Sequence, residues 1–175
     1  MATTTELIKQ LREETSAGVM DCKRALTEAD NNMDRAKELL RQWGAASAGK
    51  KAGRETKQGT IASYIHHNNG IGRVGALVEI NCETDFVART DQFQKLAHRI
   101  AQHVVAAGPE YLTEEQVPAE LDADTRELAV RERVLMTQRF QATNQTIADL
   151  LTEAVSALGE NIRIGRFTRF VLGGE

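Results

Sequence analysis

The chain has 175 residues, of which 41% are hydrophobic and 27% are charged, as in ordinary globular proteins of one or two domains. Its formal net charge of −3 argues against a general nucleic-acid binder, which usually carries a strong basic excess. No apolar run approaches the roughly 20 residues that span a bilayer, and the first residues lack the regions of a signal peptide, so we expect a cytoplasmic protein with no membrane partner and no stable nucleic-acid partner.

Three short helices with a shared apolar core are predicted near the N-terminus. The first begins with Thr3 and Glu6 at capping-box spacing and should end near Ser16 to Gly18. The second opens at Gly18, and apolar residues recur through it at helical spacing. The third is of similar size, and Gly44 is placed to cap its C-terminus.

The turn between the first two helices presents a candidate partner surface on the bundle that we predict for residues 1–45. Val19 or Met20 is left outside there, beside Lys23 on the following helical turn. An apolar patch next to a cation suits a protein partner. The alternative places Met20 in the core and leaves Lys23 merely solvated.

A linker is predicted over residues 46–58, which are rich in Gly, Ala, Ser and Lys and carry no apolar repeat. Its charges are basic, at Lys50, Lys51, Arg54 and Lys57. Contact with RNA is one interpretation of these charges, but no aromatic residues alternate with them to stack on bases. A flexible, solvated tether between two domains is therefore favoured.

A core domain is predicted over residues 59–175, and it opens with a β-hairpin. Two runs of strand character, 60–67 and 74–81, flank Asn68-Asn69-Gly70, whose residues tolerate the positive φ of a tight turn. One face of the second strand is apolar at a period of two and should pack on helices: Val74, Ala76, Val78 and Ile80.

Three helices should follow the hairpin. Their predicted limits are Thr90 or Asp91 to Gly108, then 121–136, then Thr143 or Asn144 to Leu158. Between the first two, Thr113 and Gln116 have the spacing of another capping box.

A closing strand is predicted over 162–172, and it can complete a small antiparallel sheet. Its apolar parity groups Ile162, Ile164, Phe170 and Leu172. Arg166 and Thr168 interrupt this parity, so the strand should be exposed on one edge or bulged. A small antiparallel sheet covered by helices gives the α+β fold class.

The stretch from Asn81 to Ala88 joins the hairpin to the next helix, and its composition is unusual. A strand ends there in Asp85, followed at once by Phe86. Aspartate is common at turns, whereas phenylalanine belongs in a core. One interpretation is a structural corner with Asp85 as a cap and Phe86 tucked inward. The other is a rigid site that presents a charge and an aromatic ring together.

Metal and redox motifs have little support. Cys22 and Cys82 lie far apart, without CxxC or nearby histidine spacing. His66 and His67 are adjacent in a strand and should point to opposite faces, with no third ligand near in sequence. We expect two buried thiols, no metal and no cofactor.

Two segments resemble the signature segments of the bacterial elongation factor Ts family: Thr15–Lys23 (TSAGVMDCK) and Asn81–Ala88 (NCETDFVA). Gly159-Glu160-Asn161-Ile162 resembles the closing segment of that family, and the order of the three is kept. The resemblance implies a ubiquitin-associated-like N-terminal bundle, a linker and a core with an antiparallel sheet. It also implies a guanine nucleotide exchange factor, not an enzyme, that releases GDP from elongation factor Tu.

The resemblance also assigns roles to particular residues. Phe86 is implied to insert into a cleft between helices of elongation factor Tu, while Thr84, Asp85 and Val87 shape the same turn and help disturb the magnesium and phosphate region. The residues implied to anchor the bundle to this partner are Val19, Met20 and Lys23. The single hairpin resembles the short form of the family, for which a homodimer is implied.

Two other classes of function stay open at this point. One is a small enzyme that uses Glu83, Asp85 and the pair His66 and His67 as acid and base groups, although the chain has no phosphate-binding glycine loop and no nucleophile motif. The other is an adaptor whose N-terminal bundle binds ubiquitin-like folds.

Overall fold

The structure is a computed structural model that describes residues 3–15, 17–140 and 144–174. In these residues, helices come first and a three-stranded sheet with further helices follows, so the fold is α+β as predicted. The chain divides into two compact units. The first contains the residues up to Arg54 together with Thr152–Asn161, and the second contains Glu55–Leu151 and the residues from Ile162 onward.

The secondary structure elements are numbered in chain order. The helices are α1 (Thr4–Thr15), α2 (Val19–Glu28), α3 (Met33–Lys51), α4 (Asp85–Ala88), α5 (Asp91–Ala107), α6 (Ala123–Arg133) and α7 (Ile147–Leu158). The strands are β1 (Gln58–Asn68), β2 (Ile71–Cys82) and β3 (Arg163–Val171). None of the helices in the described ranges is both long and apolar enough to cross a bilayer.

The first unit contains the three predicted N-terminal helices together with the second half of α7, and its first capping box is confirmed. Thr3 Oγ1 accepts a hydrogen bond from Glu6 N at 3.3 Å, and Glu6 Oε2 accepts one from Thr3 N at 2.7 Å. Helix α2 begins after Gly18 as predicted, whereas Ser16 lies outside the described residues. The buried side chains that these helices share are Leu11, Cys22, Ala25, Leu26, Ala29 and Ala36.

Helix α3 is longer than predicted, and its expected end at Gly44 is wrong. It continues to Lys51, so residues 46–51 of the predicted flexible linker are helical. Gly44 is buried within the first unit, where a Cβ atom built on it would lie 3.6 Å from the Cβ of Ser156. This close approach to the second half of α7 keeps the helix intact in spite of the low helix propensity of glycine.

The sheet has the strand order β1-β2-β3, and both pairs are antiparallel. In the hairpin turn Asn69 and Gly70 take the predicted positive φ values. The inner face of β2 is also as predicted, since it packs on α5 and is buried at Ala76, Val78 and Ile80 and half-buried at Val74.

The sequence predicted that the closing strand is exposed on one edge or bulged, and β3 shows both features. Ile164 pairs with Ile80, but Arg166 pairs with Glu79, the residue just before Ile80, so Gly165 is an extra residue with no partner of its own. The alternation of side chains between the two faces of the sheet is therefore shifted by one residue across the bulge.

The grouping of Ile164 with Phe170 on one face is wrong because of this bulge. Ile164 is buried on the helix side of the sheet, whereas Phe170 is 68% exposed on the opposite face. Phe167, expected on the other face, pairs with Val78 on the helix side and is half-buried. A side chain at Gly165 would collide with Asn81, whose Oδ1 atom lies 2.6 Å from the position of a Cβ.

Helix α5 begins and ends where the sequence predicts. Of the two candidate caps, Thr90 is the one used: its Oγ1 accepts a hydrogen bond from Phe93 N at 3.2 Å. Gly108 takes a left-handed conformation with φ of 62° and ends the helix. The helix lies against β1 and β2 with its apolar stripe buried.

The region after α5 follows the prediction in part. The capping box of Thr113 and Gln116 is present and starts a short 3₁₀ helix. Helix α6 is shorter than the predicted 121–136, because Asp122 caps its start and the chain passes into a second 3₁₀ helix at Leu135–Thr137.

Helix α7 starts later than predicted. Of its two candidate caps, Thr143 lies outside the described residues, and Asn144 is wrong because the helix begins at Ile147. Thr146 and Asp149 close its first turn with reciprocal hydrogen bonds: Thr146 Oγ1 accepts from Asp149 N at 3.1 Å, and Asp149 Oδ2 accepts from Thr146 N at 2.9 Å.

Candidate functional site

The corner, residues 83–88, lies in the second unit where β2 gives way to α4. Thr84 has extended backbone angles (φ −124°, ψ 156°), and its Oγ1 accepts a hydrogen bond from Val87 N at 3.4 Å. Thr84 is therefore the N-cap of α4, and the interpretation of Asp85 as the cap is wrong. Asp85 is instead the first helical residue, where the partial positive charge of a helix N-terminus favours a carboxylate.

Phe86 points into solvent from this corner. Its side chain is 81% exposed, the highest value among the large hydrophobic side chains of the described residues. The interpretation in which Phe86 tucks inward is therefore wrong. Two residues along a helix correspond to a rotation of about 200°, so the burial of Ala88 turns Phe86 outward.

Two further hydrogen bonds fix the backbone on both sides of Phe86. The Cys82 thiol donates to the carbonyl oxygen of Thr84 at 3.1 Å, before α4 begins. The side-chain amide of Gln94 donates from Nε2 to the carbonyl oxygen of Ala88 at 2.7 Å, where α4 ends. The sequence analysis did not single out Gln94 and treated Cys82 only as a buried thiol, because no spacing rule links a side chain to a carbonyl across a turn of this kind. The exposed ring thus stands on a backbone that is held at each end.

One ion pair borders the exposed ring. Arg89 Nη2 lies 3.0 Å from Asp85 Oδ2, one helical turn away, and the two side chains are 80% and 49% exposed. The i,i+4 spacing of these opposite charges is a sequence signal from which the ion pair could have been predicted. Because surface pairs of this kind are weak, roughly 0.2 to 1 kcal/mol, the Asp85 carboxylate remains available to another cation.

A second exposed apolar site lies in the first unit, at the start of α2. Val19 is 48% exposed and Met20 is 73% exposed, and Lys23 is exposed on the next turn. The interpretation that leaves this apolar patch outside is thus confirmed, and the one that buries Met20 is wrong. Cys22 on the same helix points inward, and burial raises the pKa of its thiol.

The structure does not bring together the groups that an acid and base mechanism would need. His66 lies eight positions along β1 from Gln58, which pairs with Cys82 next to Glu83. At about 3.3 Å per residue the histidine is roughly 26 Å from that carboxylate. Across the described ranges no three His, Cys, Asp or Glu side chains are grouped to hold a metal ion. Cys22 and Cys82 are both buried, as predicted for both thiols, and they form no disulfide with each other.

The open sheet face, opposite α5, is a third exposed apolar surface. Across the three strands, Ile65, Gly75 and Phe170 are aligned in one row, with Leu77 in the next row. The exposed fractions are 55% for Ile65, 46% for Leu77 and 68% for Phe170. Apolar side chains grouped in this way are typical of a surface that another protein covers.

The polar end of this face carries a side-chain cluster. Glu79 Oε1 accepts a hydrogen bond from Asn81 Nδ2 at 3.0 Å, and Glu79 Oε2 accepts one from Arg166 Nε at 2.8 Å. These two hydrogen bonds, with Asn81 the larger contributor, lower the pKa of Glu79 below its ordinary value. The carboxylate therefore stays charged under mildly acidic conditions.

The comparison with known protein families matches nearly the whole chain, including the segments in which the candidate sites lie. The family model described as "Elongation factor TS" matches residues 2–141 and, in an overlapping match, residues 83–174. Both matches include the corner, and the first also includes the start of α2 with its exposed apolar patch.

Several curated proteins named "Elongation factor Ts" are similar over nearly their whole length. The one from Fervidobacterium nodosum is 42% identical over 199 aligned positions, which cover 99% of this chain and 100% of the relative. The one from Carboxydothermus hydrogenoformans is 45% identical, and the alignment covers 97% of this chain and 89% of the relative. The one from Thermotoga maritima is 44% identical, and the alignment covers 96% of this chain and 95% of the relative.

Proposed function

Because the chain belongs to the elongation factor Ts family, we propose that it is a guanine nucleotide exchange factor for elongation factor Tu, and not an enzyme. It binds this GTPase and promotes the release of GDP, after which GTP can bind. The observation that carries the proposal is the 81% exposure of Phe86 on a corner whose backbone is fixed at both ends. Such a protein acts in the cytoplasm, where translation takes place.

Phe86 is the group that inserts into elongation factor Tu, between two of its helices. Burying a phenylalanine side chain contributes roughly 1.5 to 3 kcal/mol, which shifts a conformational equilibrium by about one to two orders of magnitude. Thr84 and Val87 support this insertion, because the hydrogen bond between them forms the turn from which the ring projects. A fixed backbone means that insertion displaces the partner and not the corner.

Asp85 acts beside Phe86 on the magnesium and phosphate region of the partner. Magnesium requires nearly octahedral oxygen ligands and usually bridges a protein to phosphate oxygens. A small displacement of these ligands therefore weakens the binding of the ion. The Asp85 carboxylate is half exposed and adjacent to the inserted ring. Its charge can therefore compete for, or repel, groups at that site once the ring is bound.

Release of GDP then follows from thermodynamic reciprocity. If the factor binds the nucleotide-free GTPase more tightly than the GDP complex, GDP must weaken the binding of the factor by the same ratio. Each ligand can therefore displace the other, and no covalent step by this chain is needed.

The N-terminal bundle supplies a second contact with elongation factor Tu. Its contact surface consists of Val19, Met20 and Lys23, an exposed apolar pair beside a cation. The bundle is ubiquitin-associated-like in this proposal, but it serves the GTPase and not a ubiquitin-like fold. Because both contact surfaces are on one chain, binding of the GTPase at one surface raises its effective concentration at the other surface.

The open sheet face is proposed as the interface of a homodimer. It presents Ile65, Leu77 and Phe170 to solvent, whereas the other face of the same sheet is covered by α5. Two such faces from two copies can stack about 10 Å apart and bury each other, as in a β-sandwich. A two-by-two complex with elongation factor Tu follows from this arrangement.

The test is stopped-flow release of fluorescent GDP from elongation factor Tu. The unaltered chain should accelerate release, and Phe86→Ala should lose at least nine tenths of that acceleration. Leu128→Ala is the matched control, because Leu128 is also an exposed large hydrophobic residue, at 46%, but lies on α6 away from the corner. Full stimulation by a folded Phe86→Ala variant would contradict the insertion.

The same materials separate the other classes of function. Capture of elongation factor Tu that is reversed by added GDP supports nucleotide exchange. Capture of a ubiquitin-like protein in preference to the GTPase would support the adaptor, and turnover of a substrate by the chain alone would support an enzyme.

A further inference from the structure

The α3 exit segment, residues 52–54, follows the last residue of α3 and lies within the predicted flexible linker. Carbonyl oxygens at and just beyond the C-terminus of a helix have no partners inside that helix. Here two carbonyl oxygens of the exit segment accept hydrogen bonds from one distant side chain. Nδ2 of Asn161 lies 3.2 Å from the carbonyl oxygen of Ala52 and 2.9 Å from that of Arg54.

Asn161 is well placed to hold this segment, because it is itself fixed. Its side chain is only 7% exposed, so the two hydrogen bonds are largely protected from water. The chain reaches it through Gly159, which ends α7 in a left-handed conformation with φ of 77°. Ile162 follows it and is 4% exposed.

Helix α3 and the second half of α7 make further contacts in the same unit. Lys51 Nζ donates to the carbonyl oxygen of Val155 at 3.4 Å and to Ser47 Oγ at 3.0 Å. Gly44 allows the close approach to Ser156 described above. The last two turns of α3 and the exit segment are therefore packed and hydrogen-bonded, whereas the composition of this stretch is that of a free tether.

We propose that Asn161 is a positioning residue that orders the α3 exit segment and thereby strengthens two-surface binding of elongation factor Tu. The inference rests on the proposed function, in which Met20 on the bundle and Phe86 on the corner both contact the GTPase. A segment that is ordered before binding loses less conformational entropy when both surfaces engage. The side-chain amide performs this role because it donates two hydrogen bonds at once, which alanine and aspartate cannot do.

Amide hydrogen exchange of the unbound full-length chain tests the ordering. Arg54 N donates to the carbonyl oxygen of Lys51 at 2.9 Å and reports on the segment. Exchange at Arg54 should be about tenfold faster in Asn161→Ala, and at least as fast in Asn161→Asp. Amides of α2 serve as the internal reference and should not change. Asn144→Ala, at an exposed asparagine, is the matched control.

Titration of nucleotide-free elongation factor Tu tests the consequence for binding. Asn161→Ala should weaken the Kd by about tenfold in the unaltered background and by less than twofold in a Met20→Ala background. A merely structural loss of stability would weaken binding equally in both backgrounds. Such equal loss, or unchanged exchange at Arg54, would overturn the proposal.

Failure of the proposed function has a different signature. The unaltered chain would then not bind elongation factor Tu at all, which overturns the link between Asn161 and binding. The exchange measurement at Arg54 does not involve the GTPase, so it still supports or overturns the ordering by Asn161 in that case.

Discussion

The side-chain amide of Gln94, on the first turn of α5, donates a 2.7 Å hydrogen bond to the carbonyl oxygen of Ala88, the last residue of α4. This contact ties the short helix that carries Phe86 to a long helix packed on the sheet. A helix of four residues has no stability of its own, because helix nucleation is unfavourable. The geometry of the corner therefore depends in part on the helix that follows it.

Gln94→Ala should weaken nucleotide exchange without unfolding the protein. The lost hydrogen bond is worth roughly 0.5 to 1.5 kcal/mol, and part of the binding energy of the proposed Phe86 insertion would then be used to order the corner. We expect stimulated GDP release to fall several-fold. Gln92→Ala, at an exposed glutamine on the same turn of α5, is the control and should match the unaltered chain. Equal activity of the two variants would show that α4 is ordered without this bond.

Thr84→Ala should loosen the start of α4. Replacing an N-cap threonine by alanine costs about 1 kcal/mol, which corresponds to about fivefold faster exchange of an amide that depends on the cap. Val87 N, which donates to Thr84 Oγ1, is the amide to follow by NMR. Thr84→Ser keeps the hydroxyl and should keep most of the protection. An unchanged Val87 amide in the alanine variant would mean that the 3.4 Å contact contributes little.

Charges on the open sheet face should dissociate the proposed homodimer. We expect the double variant Leu77→Glu and Phe170→Glu to scatter light as a monomer, whereas the unaltered chain scatters as a dimer, because four like charges would face each other without solvent. Leu128→Glu adds a charge at an exposed leucine outside this face and should leave the dimer intact. A monomeric mass for the unaltered chain would contradict this interface.

The buried histidine of α5 should make stability fall with falling pH. His103 is 5% exposed, and its Nε2 atom lies 3.0 Å from Gln138 Oε1. Burial lowers the pKa of the His103 imidazole below the ordinary value of 6.5. Below pH 6.5 the unfolded chain therefore binds a proton that the folded chain does not. The free energy of unfolding should be unaffected by this group above pH 6.5 and decrease as the pH drops below it, until the folded pKa is passed.

Urea denaturation of the unaltered chain and of His103→Gln at pH 7.5 and pH 5.5 checks this sign. The variant should lose less stability between the two pH values than the unaltered chain does. His98→Gln, at an exposed histidine on the same helix, is the control and should keep the full pH dependence. An identical loss in His103→Gln would assign the pH dependence to other groups.

Local spacing in the sequence predicted most of the elements correctly. The hairpin turn, the apolar alternation of β2 and the cap at Thr90 depend on residues within a few positions of each other, so periodicity and turn chemistry are sufficient. The sequence left open whether Met20 is exposed or in the core, and the structure shows that Val19 and Met20 are both exposed at the start of α2. The corner was recognised as unusual for the same reason, since Asp85 and Phe86 conflict with a strand interior.

Contacts between distant parts of the chain decided what local spacing could not. Helix α3 continues past Gly44 because α7 packs there, and the bulge at Gly165 reverses the facing of Phe170. The exposure of Phe86 depends on the burial of Ala88 and on the amide of Gln94. Sequence alone therefore pointed to the residues of the candidate site, whereas tertiary packing decided that the ring points outward, because hydrogen bonds and burial between separated segments outweigh local propensity.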